Sequence, residues 1–169
     1  MITGGGTSGH VIPALAIAEL LVDSGYSSDQ IHFVGTLNGV ETKLVPPTRI
    51  PLTLLDVRGF SRNLSFTSLK KNLHAVQILR RAINHATVLL RSLKPAVVIS
   101  VGGYGSVPAT RAAVKLNIPV VTVSYDRLPG RATKMQARQA AATAVAYLPT
   151  KLRNATLTGA PVRRSIRNL

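Results

Sequence analysis

The sequence predicts a parallel α/β fold, and three observations carry that expectation. Short apolar, β-branched runs alternate with helical stretches along the whole chain. The connections between them are short, as strand-helix-strand crossovers require. Glycine-rich turns stand where two of the runs pass into helices, so they would lie along one edge of the sheet, where open α/β folds bind ligands.

In chain order, strands are expected at 31–35, 50–57, 96–101, 119–125, 143–148 and 155–158, each bounded by Gly, Pro or polar residues. Gly4 follows only three residues, so the first strand is a stub or the chain begins inside it. Helices are expected at 12–24, 39–45, 68–93, 106–116 and 130–142. Pro13 is read as marking the start of the first. The long helix has apolar residues at Leu73, Val76, Leu79, Ile83, Val88 and Leu90, with Lys70, Lys71, Arg80, Arg81 and Arg91 around them, a basic amphipathic pattern. With 169 residues, 46% of them hydrophobic, the chain fits one domain with a filled core.

Composition narrows the chemistry. There is no cysteine, which excludes disulfides, thiolate nucleophiles and Cys-based metal sites. Four histidines and six acids leave few ligands, so no metal is expected. No apolar run reaches the ~18 residues of a spanning helix, and the N-terminus lacks the order of a secretory signal, so the expected location is cytoplasmic. Residues 1–56 carry five acids and two bases, whereas 57–169 carry nineteen bases and one acid, Asp126. This asymmetry points to an anionic partner: nucleic acid, an acidic membrane face or a phosphorylated substrate. The plainer alternative is a solvated surface, or an acidic complement elsewhere in a longer chain.

Four segments could carry chemistry. Gly4-Gly5-Gly6-Thr7-Ser8-Gly9-His10 passes directly into a helix, so glycine flexibility and a helix N-terminus combine into an anion cradle. It lacks the Lys-Ser/Thr of a P-loop, and the acid of a dinucleotide fingerprint is missing, because the next strand ends in Gly35-Thr36. His10, at the end of the cradle, has the proton affinity and position for a general base. His32, His74 and His85 read as structural or surface residues. A second loop, Gly102-Gly103-Tyr104-Gly105-Ser106, also links strand to helix, with Tyr104 either facing ligand or packing on the neighbouring loop. Asp126 stands at a strand end, as a site residue or as an ion-pair partner of Arg127 or Arg131. Arg163, after Gly159-Ala160-Pro161-Val162, can fork onto phosphate or carboxylate.

Taken together, these segments resemble the MurG family of glycosyltransferases. The likeness runs from GGGTSGHVIPALAIAELL through Val34-Gly35-Thr36, Glu41, 54–60, Lys94-Pro95-Ala96-Val97-Val98 and 101–108 to Pro129-Gly130 and 159–163. It implies a GT-B architecture, of which this chain is one half: an N-terminal, acceptor-binding, Rossmann-like parallel sheet with helices on both faces, spanning 1–169, without the C-terminal donor domain. The implied reaction transfers N-acetylglucosamine from UDP-GlcNAc to the lipid-linked acceptor lipid I, giving lipid II for peptidoglycan.

By the same resemblance, the Gly4–Gly9 loop and the loop of Gly102, Gly103 and Tyr104 face the acceptor diphosphate. Thr7, Ser8 and Gly9 also approach the donor, His10 is the catalytic base, and Arg163 contacts the donor nucleotide sugar near the domain junction. The stretch 64–93 resembles a membrane-facing patch, implying peripheral binding to an anionic inner-membrane surface on the cytoplasmic face. No cofactor is implied beyond UDP-GlcNAc as donor substrate, bound mainly by the missing domain.

Three departures stand out. Ser8 replaces a usual Gly, Val123-Ser124-Tyr125-Asp126 replaces a His-Glu-Gln-Asn segment, and Ala160 replaces Asn. The carboxylate of Asp126 adds negative charge near a phosphate site unless Arg127 offsets it. The alternative function is a non-catalytic module that binds polyprenyl diphosphates and anionic membrane and needs a partner donor domain. Nucleic-acid binding rests on charge alone and is disfavoured by 4% aromatic content and the lack of any recognition motif.

Overall fold

The computed structural model describes residues 1–58, 66–167 and 169, and for 66–73 the backbone alone. Seven parallel strands form one sheet: β1 (Ile2–Thr3), β2 (Phe33–Thr36), β3 (Leu52–Leu55), β4 (Val98–Ser100), β5 (Val120–Ser124), β6 (Ala142–Val145) and β7 (Ala155–Leu157). Their spatial order is β3-β2-β1-β4-β5-β6-β7. The stub β1 is third in that order, beside the central β4, pairing Ile2 with Phe33 on one side and with Ile99 on the other. The direction of winding reverses between β1 and β4, and this is the crevice where doubly wound sheets bind ligands.

Helices cover both faces, as expected: α1 (Ser8–Asp23), α2 (Glu41–Leu44), α3 (Phe66–Leu93), α4 (Val107–Lys115), α5 (Arg131–Ala137) and α6 (Arg164–Arg167). Two apolar clusters flank the sheet. One joins Val34, Leu55, Val98 and Val120 to Ala82, Ala86 and Leu90 of α3 and Ala109, Ala112 and Ala113 of α4. The other packs Ile2, Phe33 and Val101 against Val11, Ala14, Leu15 and Ala18 of α1. Small alanines on the inner faces of α3, α4 and α1 let the helices lie close to β-branched strand residues.

The boundaries differ from expectation in physically instructive places. Helix α1 begins at Ser8, four residues before the expected start, so Ser8, Gly9 and His10 form its first turn. Pro13 therefore lies inside the helix and does not mark its start. Helix α5 stops at Ala137 and the run to residue 142 is not helical. The amide of Ala141 donates to the Val120 carbonyl at 2.8 Å, so the sheet claims an alanine stretch that favours helix in isolation. Strand β6 correspondingly ends at Val145, leaving Tyr147 and Leu148 exposed.

Helix α6 was not expected from the sequence, and it docks on α1 through charge. Arg163 meets Glu19 at 2.7 Å, Arg167 meets Asp23 at 2.8 Å, and Arg164 also pairs with Asp23. Part of the charge asymmetry between the two ends of the chain is thus neutralised within the fold. A row of hydroxyls crosses the middle of the sheet where Thr3, Ser100, Thr122 and Thr143 are in register, all buried. Thr3 donates to the Val34 carbonyl, Ser100 to Gln136 and Thr143 to the Arg153 carbonyl, while Thr122 Oγ1 has no partner among the described residues.

Candidate functional site

The first loop leaves β1 and enters α1 through Thr7, whose extended backbone makes it the N-cap. A capping threonine normally turns its hydroxyl to the helix amides. Here Thr7 Oγ1 lies 3.1 Å from Nδ1 of His10 and makes no cap bond. The amides of Ser8 and Gly9 have no intrahelical acceptor, as first-turn geometry dictates, and thus stay available to an anion at the positive end of the helix. Thr7, Ser8 and Gly9 are exposed and His10 is half-buried.

The second loop approaches from β4. Gly102 and Gly103 both have positive φ, 89° and 77°. A Cβ on Gly103 would come within 2.9 Å of the Gly5 carbonyl and 3.3 Å of His10 Nε2, so the two loops and the imidazole meet only because no side chain stands there. Ser106 donates to the Gly103 carbonyl at 2.8 Å and accepts from Gln136 Nε2 at 2.8 Å. Gln136 in turn accepts from Ser100, so a buried polar chain from α5 sets the loop. Tyr104 lies against Gly6 of the first loop and is 45% exposed, so it both packs on its neighbour and lines the crevice.

Tyr125, just past β5, donates its hydroxyl to the Gly9 carbonyl at 2.5 Å. That carbonyl lacks its usual helical donor, because the residue four positions on is Pro13, which has no amide hydrogen. The tyrosine ring also meets the imidazole of His10 edge-on, with centroids 6.5 Å apart and planes at 74°. Burial, with Asp126 adding to it, pushes the phenol up to about 12, so it stays a donor across the physiological range. Burial lowers the His10 pKa below the ordinary imidazole value, and the negative charges of Asp126 and Glu41 partly oppose this. The ring is therefore neutral at pH 7, the form a base requires. Asp126 itself is exposed and forms no ion pair with Arg127 or Arg131.

Glu41 is the site residue that the sequence reading used only as part of a likeness. Its side chain is fully buried at the start of α2. It accepts from the Thr36 amide at 2.5 Å, the Thr36 hydroxyl at 2.8 Å and the Gly6 amide at 3.1 and 3.2 Å. Gly5, Gly35 and Gly39 wall its cage, and a Cβ on any of them would overlap the carboxyl group or its stem. The readable signal was Gly35-Thr36-x-x-Gly39-x-Glu41, glycines clustered around one acid.

Arg163 is not brought to this crevice. Its guanidinium is held by Glu19, nine residues along α1 from His10, or about 13 Å at the helical rise. His32 pairs with Thr53 at 2.8 Å, and His74 and His85 are exposed on α3. Among the described residues, no three His, Asp or Glu converge as a metal ligand set, and no helix is long and apolar enough to cross a membrane.

Beside Tyr104 a groove of about 530 Å³ opens between α3, α4 and α5. Val76, Leu79 and Ile83 of α3, Val107 and Met135 give it an apolar floor, and Arg58, Arg80, Arg111 and Arg131 stand around it. The expected membrane-facing stretch 64–93 falls partly outside the described residues, since 59–65 and the side chains of 66–73 are not described.

The glycosyltransferase family 28 N-terminal domain model matches residues 1–145. A curated relative from Carboxydothermus hydrogenoformans, named UDP-N-acetylglucosamine–N-acetylmuramyl-(pentapeptide) pyrophosphoryl-undecaprenol N-acetylglucosamine transferase, is 39% identical over 168 residues, covering 97% of this chain and 44% of the relative. A relative of the same name from Thermodesulfovibrio yellowstonii is 35% identical over 170 residues, covering 98% and 45%. The crystal structure of Acinetobacter baumannii MurG superposes with a TM-score of 0.75 at 29% identity, covering 98% of this chain and 47% of that one. The UDP-GlcNAc 2-epimerase of Methanocaldococcus jannaschii shares the fold, with a TM-score of 0.60 at 14% identity over 94% of this chain and 44% of that one. The chain spans just under half the length of the curated relatives it matches.

Proposed function

Because the chain belongs to the glycosyltransferase family 28 N-terminal domain family, we propose that it supplies the acceptor side of an inverting N-acetylglucosaminyltransferase acting on a polyprenyl-diphosphate-linked sugar. The donor would be UDP-GlcNAc and the acceptor lipid I, in keeping with the names of the relatives. The observation that carries this reading is the meeting of two glycine loops around His10 at the point where the sheet reverses its winding.

In the proposed reaction the exposed amides of Ser8 and Gly9 and the second loop hold the acceptor diphosphate. The scheme assigns the imidazole proton to Nδ1, 3.1 Å from Thr7 Oγ1, which leaves the lone pair on Nε2, beside Gly102 and Gly103. Nε2 takes the proton of the acceptor hydroxyl as its oxygen attacks the anomeric carbon. The bond from that carbon to the UDP oxygen breaks, UDP leaves with the electron pair, and the configuration inverts. No metal or cofactor takes part in this scheme.

The groove beside Tyr104 supports a lipid-linked acceptor, because it joins apolar floor to cationic rim next to the diphosphate cradle. Peripheral attachment to an anionic membrane on the cytoplasmic side belongs to the same proposal, and the apolar floor with its cationic rim supports the membrane contact. Arg163 contacts the donor in this reading only if it leaves Glu19 when the donor domain is in place.

The test is sugar transfer by the natural full-length protein with UDP-GlcNAc and a lipid I analogue. Transfer is expected, and His10→Ala should reduce kcat by about 10²–10⁴-fold. A His10→Ala variant at the normal rate would overturn the assignment. Residues 1–169 alone are expected to bind the acceptor weakly and transfer nothing, and robust turnover by them would contradict the division of labour.

A further inference from the structure

A fully buried carboxylate needs a reason to be there, because removing it from water is costly unless hydrogen bonds or a cation replace the solvent. Glu41 has no cation within ion-pair range among the described residues. All its partners are neutral donors, and they come from two elements: Thr36 at the end of β2, and Gly6 in the first loop. The first pair is local, five residues apart, and would suffice to end the strand. The bond to Gly6 spans 35 residues and reaches into the candidate site.

Gly6 is where the loop turns, with φ of 94°. An amide has one hydrogen, and at Gly6 it points at both oxygens of Glu41 and away from the crevice. Fixing that direction decides which way the following amides face. The next residues, Thr7, Ser8 and Gly9, then present their polar groups outward. Gly5 and Gly39 leave no room for the carboxylate to move, so the constraint is rigid on both sides.

We propose that Glu41 is the positioning residue of this site: its carboxylate holds the Gly6 amide inward and so sets the first glycine loop in the shape that receives the acceptor diphosphate. The inference rests on the acceptor reading given above for what the loop binds, but the positioning itself does not depend on it. Glu41 touches no substrate, since its side chain is wholly covered.

The oxygens differ in duty, and this gives a selective test. Oε1 serves both Thr36 donors as well as Gly6, whereas Oε2 serves Gly6 alone. In Glu41→Gln the amide oxygen at the Oε1 position can keep the Thr36 bonds and the longer Gly6 contact of 3.2 Å, while the amide nitrogen at the Oε2 position sets a donor against the Gly6 N–H where the 3.1 Å acceptor was, so Gly6 is held less firmly than in the parent. The experiment uses the natural full-length protein and two readouts. Hydrogen exchange at Gly6 is expected to become about tenfold faster or more, with β2 and β3 still protected. In steady-state transfer, the acceptor KM should rise about tenfold or more while the donor KM stays within about twofold. Unchanged exchange at Gly6 overturns the positioning role, whether or not the protein transfers sugar. Faster exchange with donor and acceptor KM changed alike overturns the link to the acceptor. If Glu41→Gln does not fold, Glu41→Asp decides the matter, since it keeps the charge but draws the oxygens back by about 1.5 Å. Faster Gly6 exchange in that variant is then expected, and exchange equal to the parent overturns the proposal.

Discussion

The hydroxyl of Tyr125 fills the hydrogen-bond vacancy that Pro13 creates at the Gly9 carbonyl. One side chain thus ties the strand end after β5 to the first turn of α1, across the crevice where the loops meet. The same ring stands edge-on to His10.

Tyr125→Phe should therefore cost stability as well as function. The ring stays, the Gly9 carbonyl loses its donor, and a loss of about 1 kcal/mol is expected. Thermal unfolding of the full-length protein should fall by a few degrees. If Tm and acceptor KM both match the parent, the hydroxyl does not hold the loop.

The pH profile follows from the sign of the His10 shift. In the proposed role His10 acts when neutral, and burial holds its pKa below the ordinary value of about 6.5. kcat/KM should be flat above that value and fall as pH drops through the lowered one. Asp126→Asn removes a negative charge that favours the imidazolium, so the acid limb should move to still lower pH. A limb that moves upward, or does not move, contradicts the placement of Asp126 near the imidazole.

Two glycines offer a controlled contrast. Gly5→Ala would drive its Cβ into the Glu41 carboxyl group, and the loop must shift or the carboxylate must leave its bonds. Gly130, the N-cap of α5, has ordinary φ and open space around it. Gly5→Ala should lose transfer activity and at least about 2 kcal/mol of stability, whereas Gly130→Ala should change stability by no more than about 1 kcal/mol. Denaturant midpoints of the two variants check this directly.

The grip of α6 on α1 should be sensitive to salt. Burial pushes the Glu19 carboxyl up, but hydrogen bonds from Arg163 and the Arg164 amide outweigh it and hold its pKa below the usual range. The pairs are partly exposed, so each contributes little, and less at high ionic strength. Glu19→Gln should speed proteolysis after residue 158 without moving the main unfolding transition. Equal cleavage rates in parent and variant at low salt would show that the pairs do not hold the segment.

Much of this was legible in the sequence because the signals were local. Alternating apolar runs and glycine turns located the strands, and two glycine loops on parallel strands located the crevice. What escaped was non-local. The start of α1 was misplaced because glycines argue for loop and Pro13 for a first turn, whereas packing of Val11, Ala14 and Leu15 on the sheet extends the helix backward to Ser8. The Ala140–Ala142 run reads as helix until the Val120 carbonyl is seen to claim Ala141. The meaning of Glu41 depends on a partner 35 residues away, and that of Tyr125 on one 116 away. The attachment of Arg163 to Glu19 joins the two ends of the chain and has no signature in either.

Both cradles are made of main chain more than of side chains, and this bears on inhibition. A pyrophosphate mimic seated on the free amides of Ser8 and Gly9 would be held by atoms that every amino acid carries. Substitution at Gly5 or Gly103, which shape that cradle, pushes a new atom into Glu41 or into the opposing loop, so few single substitutions at these glycines would loosen the grip on such a mimic and keep the cradle intact.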